Sequence, residues 1–206
     1  MHQLKKSFTG SIWLVGNGPS LNTQDLSKLK KRFTFCSNQY FLNPGIQWSP
    51  TFYAIEDRKG FRHHKQLMVS KVPASTVSFF EVGREGIKPN SHCFRIVRNP
   101  NRLRFSDDPV KQIFSGFSVT YMQMQIAAYL GFSEINLIGC DHSHGHFCDE
   151  DKYHQGKRHN RLRLDLTRRF IQFGVDWLLK RGVTVMDFTP NGQLQVVPKG
   201  DYNTIN

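Results

Sequence analysis

The stretch that decides the fold is Ile12-Trp13-Leu14-Val15-Gly16-Asn17-Gly18-Pro19-Ser20-Leu21. Its first four residues are continuously apolar, as in a strand buried on both faces of a parallel sheet. The two glycines then let the backbone turn tightly and approach a ligand, and a helix after them would offer unpaired amides to an anion. The GxGxxG pattern of dinucleotide folds and the GxxxxGK of P-loops are both absent. The stretch predicts a phosphate-binding turn at the end of a first strand.

Strands and helices alternate on the C-terminal side of this turn. Predicted strands cover residues 33–36, 51–55, 76–80, 93–97, 134–139 and 183–186, and predicted helices cover 22–29, 118–130 and 162–181. The segment 60–112 is less regular, and 190–197 is expected to add a turn and an edge strand. This alternation predicts an α/β protein, with one Rossmann-like domain over residues 1–206 and a mostly parallel sheet flanked by helices.

Composition narrows the classes of partner. No apolar run approaches the roughly 20 residues that span a bilayer, and no signal-peptide core follows the first residues. Four scattered cysteines form no CxxC pair, so a cytoplasmic protein with reduced thiols is expected. The net charge of +12 fits nucleic acid, an anionic membrane surface or phosphorylated small molecules. Charge alone does not choose among these three.

Polar side chains follow several of the predicted strands directly. They are Asn17 with Ser20, then Asn38, then Glu56-Asp57-Arg58, and finally Asp141-His142. Ligands of open α/β sheets bind beyond the carboxyl ends of the strands, near the point where the strand order reverses. The sequence therefore predicts a binding site in which these groups converge.

Four motifs, read in order, resemble a known family. They are Gly16-Asn17-Gly18-Pro19-Ser20-Leu21, Cys36-Ser37-Asn38-Gln39, Ser115-Gly116 and Ile138-Gly139-Cys140-Asp141. Together they resemble the signature of the bacterial sialyltransferases of glycosyltransferase family 42. A closer resemblance, to the MptE-like family, rests on Trp48-Ser49-Pro50-Thr51, Glu56-Asp57-Arg58, Gly156-Lys157-Arg158 and Thr189-Pro190-Asn191-Gly192. The resemblance covers about residues 11–202.

The sialyltransferase resemblance implies a variant of the GT-A fold that moves an acidic sugar from a CMP-sugar donor to a glycan or glycolipid acceptor. It implies inversion at the anomeric centre, no required cofactor and no metal. A peripheral contact with the anionic inner face of a membrane is a further expectation, and nucleic acid is not an expected partner. The nucleotide-binding positions that it implies are Gly16, Asn17, Gly18, Pro19, Ser20, Asn38, Ser115, Gly116 and Asp141.

The resemblance also implies a histidine in a long loop as general base toward the acceptor hydroxyl, a role that suits imidazole. The candidates are His154, which we favour, and His159. The sialyltransferases hold the donor phosphate with two loop tyrosines, and residues 143–147 contain none. Groups expected to bind substrate or phosphate instead are Glu56, Asp57, Arg58, His142, His144, Tyr153, Lys157 and Arg158.

Three alternatives stay open at this point. The MptE-like resemblance implies a pyrophosphokinase that uses ATP and magnesium on a pterin, with Asp57 and Asp141 as candidate ligands. A metal could instead bind the carboxylate and imidazoles of residues 141–146, or the Asp-x-Asp pattern at residues 149–151. The third alternative is a non-catalytic binder of nucleic acid or anionic lipid that uses the basic clusters.

Overall fold

Strand β1 (Ser11–Val15) organises the two layers of the domain. Side chains of a strand alternate between the faces of its sheet. Ile12 and Leu14 accordingly belong to one buried apolar cluster, and Trp13 and Val15 belong to a second. Helices α2 (Val119–Leu130) and α3 (Arg161–Leu179) pack on the first face. Helix α1 (Arg58–Lys71) and short 3-10 turns pack on the second face, so the sheet is covered on both sides.

The computed structural model describes residues 1–98, 102–142, 147 and 161–205. The remaining strands are β2 (Thr34–Ser37), β3 (Phe52–Ala54), β4 (Val77–Glu81), β5 (Ser91–Phe94), β6 (Ile96–Val97), β7 (Ile113–Phe114), β8 (Glu134–Ile138) and β9 (Thr184–Asp187). Within the described residues, seven strands form one parallel sheet in the order β5-β4-β3-β2-β1-β8-β9, and β6 pairs with β7. The predicted fold class, a single α/β domain with a parallel sheet flanked by helices, is confirmed.

The order of strands reverses between β1 and β8. From β1 the chain proceeds through β2 to β5 on one side, and it returns to place β8 on the other side. Backbone at the carboxyl ends of two such strands diverges and leaves a crevice. The sheet topology therefore places a crevice beside the loop that follows β1.

Three local predictions were wrong. The helix predicted over residues 22–29 is instead two 3-10 turns, Pro19–Thr23 and Leu26–Leu29, because the Asp25 side chain accepts the Ser27 amide and starts a new turn there. Helix α1 falls in the segment judged irregular. The tail 190–197 forms no strand among the described residues, and only an isolated bridge joins Asp187 to Lys199.

Both ends of α2 lie where the sequence predicts them. Ser118 caps its amino end by accepting the Thr120 amide, and Gly131 ends it in the left-handed conformation with φ 107°. No helix among the described residues is long and apolar enough to cross a membrane.

Candidate functional site

A pocket opens at the β1/β8 crevice. Its walls come from the loop after β1, the end of β2, the amino end of α2, the loop after β8 and the first turns of α3. The lining includes Gly16, Asn17, Gly18, Asn38, Phe117, Ser118, Thr120, Cys140, Asp141, His142, Arg163 and Thr167. Five sequence-predicted positions and His142 thus meet in one pocket, at the sheet edge where such ligands bind.

The glycine loop, residues 16–21, needs glycine because β8 lies against it. A Cβ atom on Gly16 would overlap the Gly139 carbonyl oxygen, and a Cβ on Gly18 would overlap the Asp141 carboxylate. Gly18 itself has φ −74° and ψ 156°, which any residue can adopt. The two glycines therefore serve close packing against the end of β8 rather than an unusual backbone conformation.

The amides after Gly18 are already used, contrary to the expectation that they are unpaired. The Ser20 amide donates to Asp141 Oδ1 at 3.1 Å, and Ser20 Oγ donates to Asp141 Oδ2 at 2.8 Å. The Leu21 amide bonds to the Gly18 carbonyl at 3.2 Å. Burial raises the pKa of Asp141, and the bonds from Ser20 oppose that rise. The turn begins at Pro19. The Asp141 carboxylate thus occupies the position at which this turn was expected to bind a phosphate.

Two amide oxygens of the pocket have no hydrogen-bond partner among the described residues. Asn17 Nδ2 donates to Ser37 at its carbonyl, 3.1 Å, and at its Oγ, 2.9 Å. Because a carbonyl only accepts, this bond fixes Asn17 Oδ1 as the unpaired atom. Asn38, held with φ 46° after β2, likewise has a buried and unpaired Oδ1. Buried acceptors without a partner are costly, so a bound donor would relieve them.

Ser115 and Gly116 shape the turn into α2. Gly116 has φ 56°, and a Cβ there would overlap the Tyr121 ring. Ser115 Oγ accepts the Phe117 amide at 3.3 Å. Residues 117–120, which this turn delivers, are the ones that line the pocket. The Ser115-Gly116 motif therefore identifies the turn, and the residues that line the pocket lie a few positions later. The helix cap at Ser118 is the sequence feature that could have located them.

Glu56, Asp57 and Arg58 follow β3, but they are not part of the pocket lining. Asp57 caps α1 by accepting the Lys59 amide at 2.9 Å. Glu56 and Arg58 belong to a cluster of ion pairs that we call the arginine hub. Its members are Glu56, Arg58, Glu81, Arg84 and Arg98.

The hub is centred on Glu81, at the end of β4. Arg98 Nη2 lies 2.9 Å from Glu81 Oε2, and Arg98 Nη1 lies 3.0 Å from Glu56 Oε1. Arg58 forms a two-pronged contact with Glu81, its Nε lying 2.8 Å from Oε2. Burial raises the pKa of Glu81, but the bonds from Arg58 and Arg98 outweigh it and bring the pKa to about 2. Burial raises the pKa of Glu56 to about 7 against the effect of Arg98.

The loop after β8 returns to the glycine loop at Phe147. The Phe147 amide donates to the Asn17 carbonyl at 3.0 Å, and Asn22 Nδ2 donates to the Phe147 carbonyl at 2.9 Å. The predicted residues His144, Tyr153, His154, Lys157, Arg158 and His159 lie outside the described residues, as do Asp149-Glu150-Asp151. Among the residues that are described, no three His, Cys, Asp or Glu side chains come together as metal ligands would.

Comparison with known proteins identifies a family. The model of the family "6-hydroxymethylpterin diphosphokinase MptE-like" matches residues 1–146. Among solved structures, the chain is similar to the sialyltransferase CstII from Campylobacter jejuni in complex with cytidine-5′-monophosphate, with 15% identity, TM-score 0.47 and coverage of 91% of this chain and 83% of that one. It is also similar to a beta-N-acetylhexosaminidase from Bacteroides fragilis, with 14% identity, TM-score 0.26 and coverage of 89% and 42%. No curated protein matches the chain.

Proposed function

The chain belongs to the MptE-like family, and from that premise we propose that it binds a nucleotide in the β1/β8 pocket and transfers the group that the nucleotide activates. The form of transfer that we propose is the one implied by its sialyltransferase-like motifs. An acidic sugar passes from a CMP-sugar to the hydroxyl of a glycan or glycolipid acceptor.

The observation that carries the proposal is the pair of unpaired amide oxygens on Asn17 and Asn38. Cytosine carries an exocyclic amino group, which donates hydrogen bonds, where uracil carries an oxygen, which only accepts. Acceptors in the pocket thus favour an amino-bearing base and disfavour uracil, because two facing acceptors leave both unpaired. This supports cytosine over uracil as the base of the activated donor, while adenine, which also carries an amino group, meets the same condition.

The phosphate in our proposal lies away from the glycine loop, since the Asp141 carboxylate is already bonded there. The amino end of α2 and Arg163 also line the pocket. A helix amino end and a guanidinium both stabilise negative charge. The nucleotide would therefore run from Asn17 and Asn38 toward α2, with the sugar at the mouth of the pocket.

The chemical step then needs few groups. A loop histidine, His154 or His159, accepts the proton of the acceptor hydroxyl, whose oxygen attacks the anomeric carbon. The bond from that carbon to the phosphate oxygen breaks on the opposite face, and the configuration inverts. CMP leaves with the bonding electrons, and Arg163 offsets its added charge.

A second candidate follows from the family description, which names a 6-hydroxymethylpterin diphosphokinase. Diphosphate transfer from ATP would use magnesium held by carboxylates. The two candidate magnesium ligands, Asp57 and Asp141, follow β3 and β8. These strands are three positions apart in the sheet, which separates them by roughly 14 Å. Asp57 caps α1 and Asp141 is bonded to Ser20. This pair does not fit one magnesium ion, so we derive no step through it.

Nucleotide binding, measured by calorimetry, and product formation together separate the two candidates. We expect CMP to bind and UMP to bind at least about tenfold more weakly. Asn38→Ala should weaken CMP by a similar factor, while the control Asn90→Ala, whose exposed amide donates only to the Ser75 carbonyl, should not. Absence of any cytidine-nucleotide binding would overturn the proposal. Production of AMP from ATP, magnesium and 6-hydroxymethyl-7,8-dihydropterin would establish the second candidate instead.

A further inference from the structure

The arginine hub contains more accessible positive charge than its structural contacts require. Arg58, Arg84 and Arg98 all approach the one carboxylate of Glu81. Yet the Arg58 side chain is 59% exposed and that of Arg98 is 28% exposed, whereas Glu81 is 9% exposed. Glu81 and Arg84 are both nearly buried, and the guanidiniums of Arg58 and Arg98 are the more exposed groups. Anything that reaches this surface from solvent meets cations first.

Arg163 links the hub to the nucleotide pocket through its charge. This side chain lines the pocket, and its charge also lowers the pKa of Glu56, against the larger effect of burial. Arg163 and Arg98 thus both lower the pKa of the same carboxyl group. The pocket at β1/β8 and the hub at β3/β4 both lie at the carboxyl edge of the sheet, with β2 between them.

The charges of the hub and Arg163 do not balance. Four guanidiniums, those of Arg58, Arg84, Arg98 and Arg163, are shared by three carboxyl groups, those of Glu56, Asp57 and Glu81. Asp57 is further committed to the α1 cap. Arg98 Nε is buried and has no partner among the described residues. A cluster of partly exposed guanidiniums with surplus charge is suited to a carboxylate or phosphate.

We infer that the hub, with Arg163, is the subsite for a second substrate that carries an anionic group, bound beside the nucleotide. This inference rests on the proposed function, because it identifies the second substrate as the acceptor of the transfer and makes that acceptor an acidic molecule. The binding of an anion by the hub does not depend on the proposed function. A neutral acceptor would leave the surplus guanidiniums without a role in binding.

The test uses sugar probes matched in shape. Glucuronate carries a carboxylate where glucose carries a hydroxymethyl group, and inorganic phosphate tests the other anion chemistry. Each is titrated by calorimetry into the protein, first alone and then with saturating CMP. We expect glucuronate or phosphate to bind one site under both conditions and glucose to bind at least about tenfold more weakly. Whichever anion binds more tightly identifies the group that the substrate carries.

Variants assign the binding to the hub. Arg58→Gln and Arg98→Gln should weaken the anion about tenfold. The control Lys111→Gln, which removes an 82%-exposed charge paired with Asp108, should not. Arg58→Lys keeps the charge but loses the planar fork, so its affinity for the anion should lie between those of the wild type and Arg58→Gln. Arg58 is largely exposed, so its variants remain informative if Arg98→Gln fails to fold.

Several results would overturn the inference. They are an anion affinity unchanged in Arg58→Gln, an Arg58→Lys variant as weak as Arg58→Gln, equal binding of glucose and glucuronate, and displacement of the anion by CMP. Failure of the proposed function gives a different pattern, in which CMP does not bind but the anion still binds and depends on Arg58. The two failures are therefore distinguishable in one set of titrations.

Discussion

At the ends of β1 and β8 the sheet edge is closed by glycines and short hydrogen bonds, whereas at the ends of β3 and β4 it is closed by ion pairs. The first region brings backbones so close that no Cβ fits at Gly16 or Gly18. The second holds long side chains apart and joins them by charge, through Glu81 and Arg98. Packing contacts vary little with pH, but ion pairs depend on it. The two regions should therefore fail in different ways.

The largest expected effect is steric. Gly16→Ala places a methyl group onto the Gly139 carbonyl, so the backbone after β8 must move, and we expect a loss of about 3 kcal/mol in the free energy of unfolding. The matched control is Gly10→Ala, at a site with φ 78° but nothing within 4 Å. It should cost only about 1 kcal/mol, from backbone strain. Urea denaturation measures both, and equal losses would contradict the close-packing account.

The second-largest expected effect concerns how the stability that the hub contributes depends on pH. Bonds from Arg58 and Arg98 hold the pKa of folded Glu81 at about 2, below its value in the unfolded chain. A lowered carboxyl pKa contributes stability above the unfolded pKa, and that stability is lost as the pH falls from about 4.5 toward 2. Glu81→Gln should therefore cost about 2 kcal/mol at pH 7 and almost nothing near pH 2.

The control for this prediction is Glu134→Gln, which alters an exposed carboxyl at the start of β8. It should change stability by less than about 0.5 kcal/mol at either pH. A loss in Glu81→Gln that stays constant from pH 7 to pH 2 would show that the Glu81 side chain acts by packing. The hub would then resemble the close packing at Gly16 and Gly18, and the comparison between the two regions would not hold.

The same contrast explains what the sequence could predict. The glycine loop is a contiguous motif after an apolar run, so local reasoning located it and the sheet edge correctly. The hub joins residues far apart in sequence, since Arg98 pairs with Glu56 across 42 positions and Arg58 with Glu81 across 23. No spacing rule covers such pairs. The engagement of Asp141 with Ser20, 121 positions away, was hidden for the same reason.

Helix α1 was missed for a different reason. Its apolar stripe, with Phe61 and Met68 as the buried members, is short and is interrupted by many basic residues. A weak stripe among charges resembles a surface loop when periodicity alone is read. The Asp57 cap directly before the stripe was the available signal. The sequence pattern also makes Asp57 a candidate for substrate binding, whereas in the structure its carboxylate caps the helix.

The smallest expected effect returns to the glycine loop. Ser20→Ala removes the hydroxyl that donates to Asp141 Oδ2 at 2.8 Å but keeps the backbone bond to Oδ1. We expect a loss of about 1 kcal/mol at pH 7. The matched control is Thr23→Ala, whose exposed hydroxyl donates to the Ser20 carbonyl at 2.9 Å, and it should cost less than about 0.5 kcal/mol.

The sign of the pH effect makes this variant informative. Burial raises the pKa of Asp141, and the Ser20 bonds oppose that rise, so the variant should raise the pKa further. Carbon-detected NMR titration of the carboxyl measures this directly. A group with a raised pKa destabilises the folded chain when it is charged, so the loss should shrink as the pH falls and Asp141 takes up its proton. An unchanged Asp141 pKa in Ser20→Ala would mean that the Ser20 backbone amide alone holds the carboxylate. The Ser20 hydroxyl would then not be needed to keep Asp141 bound at this turn.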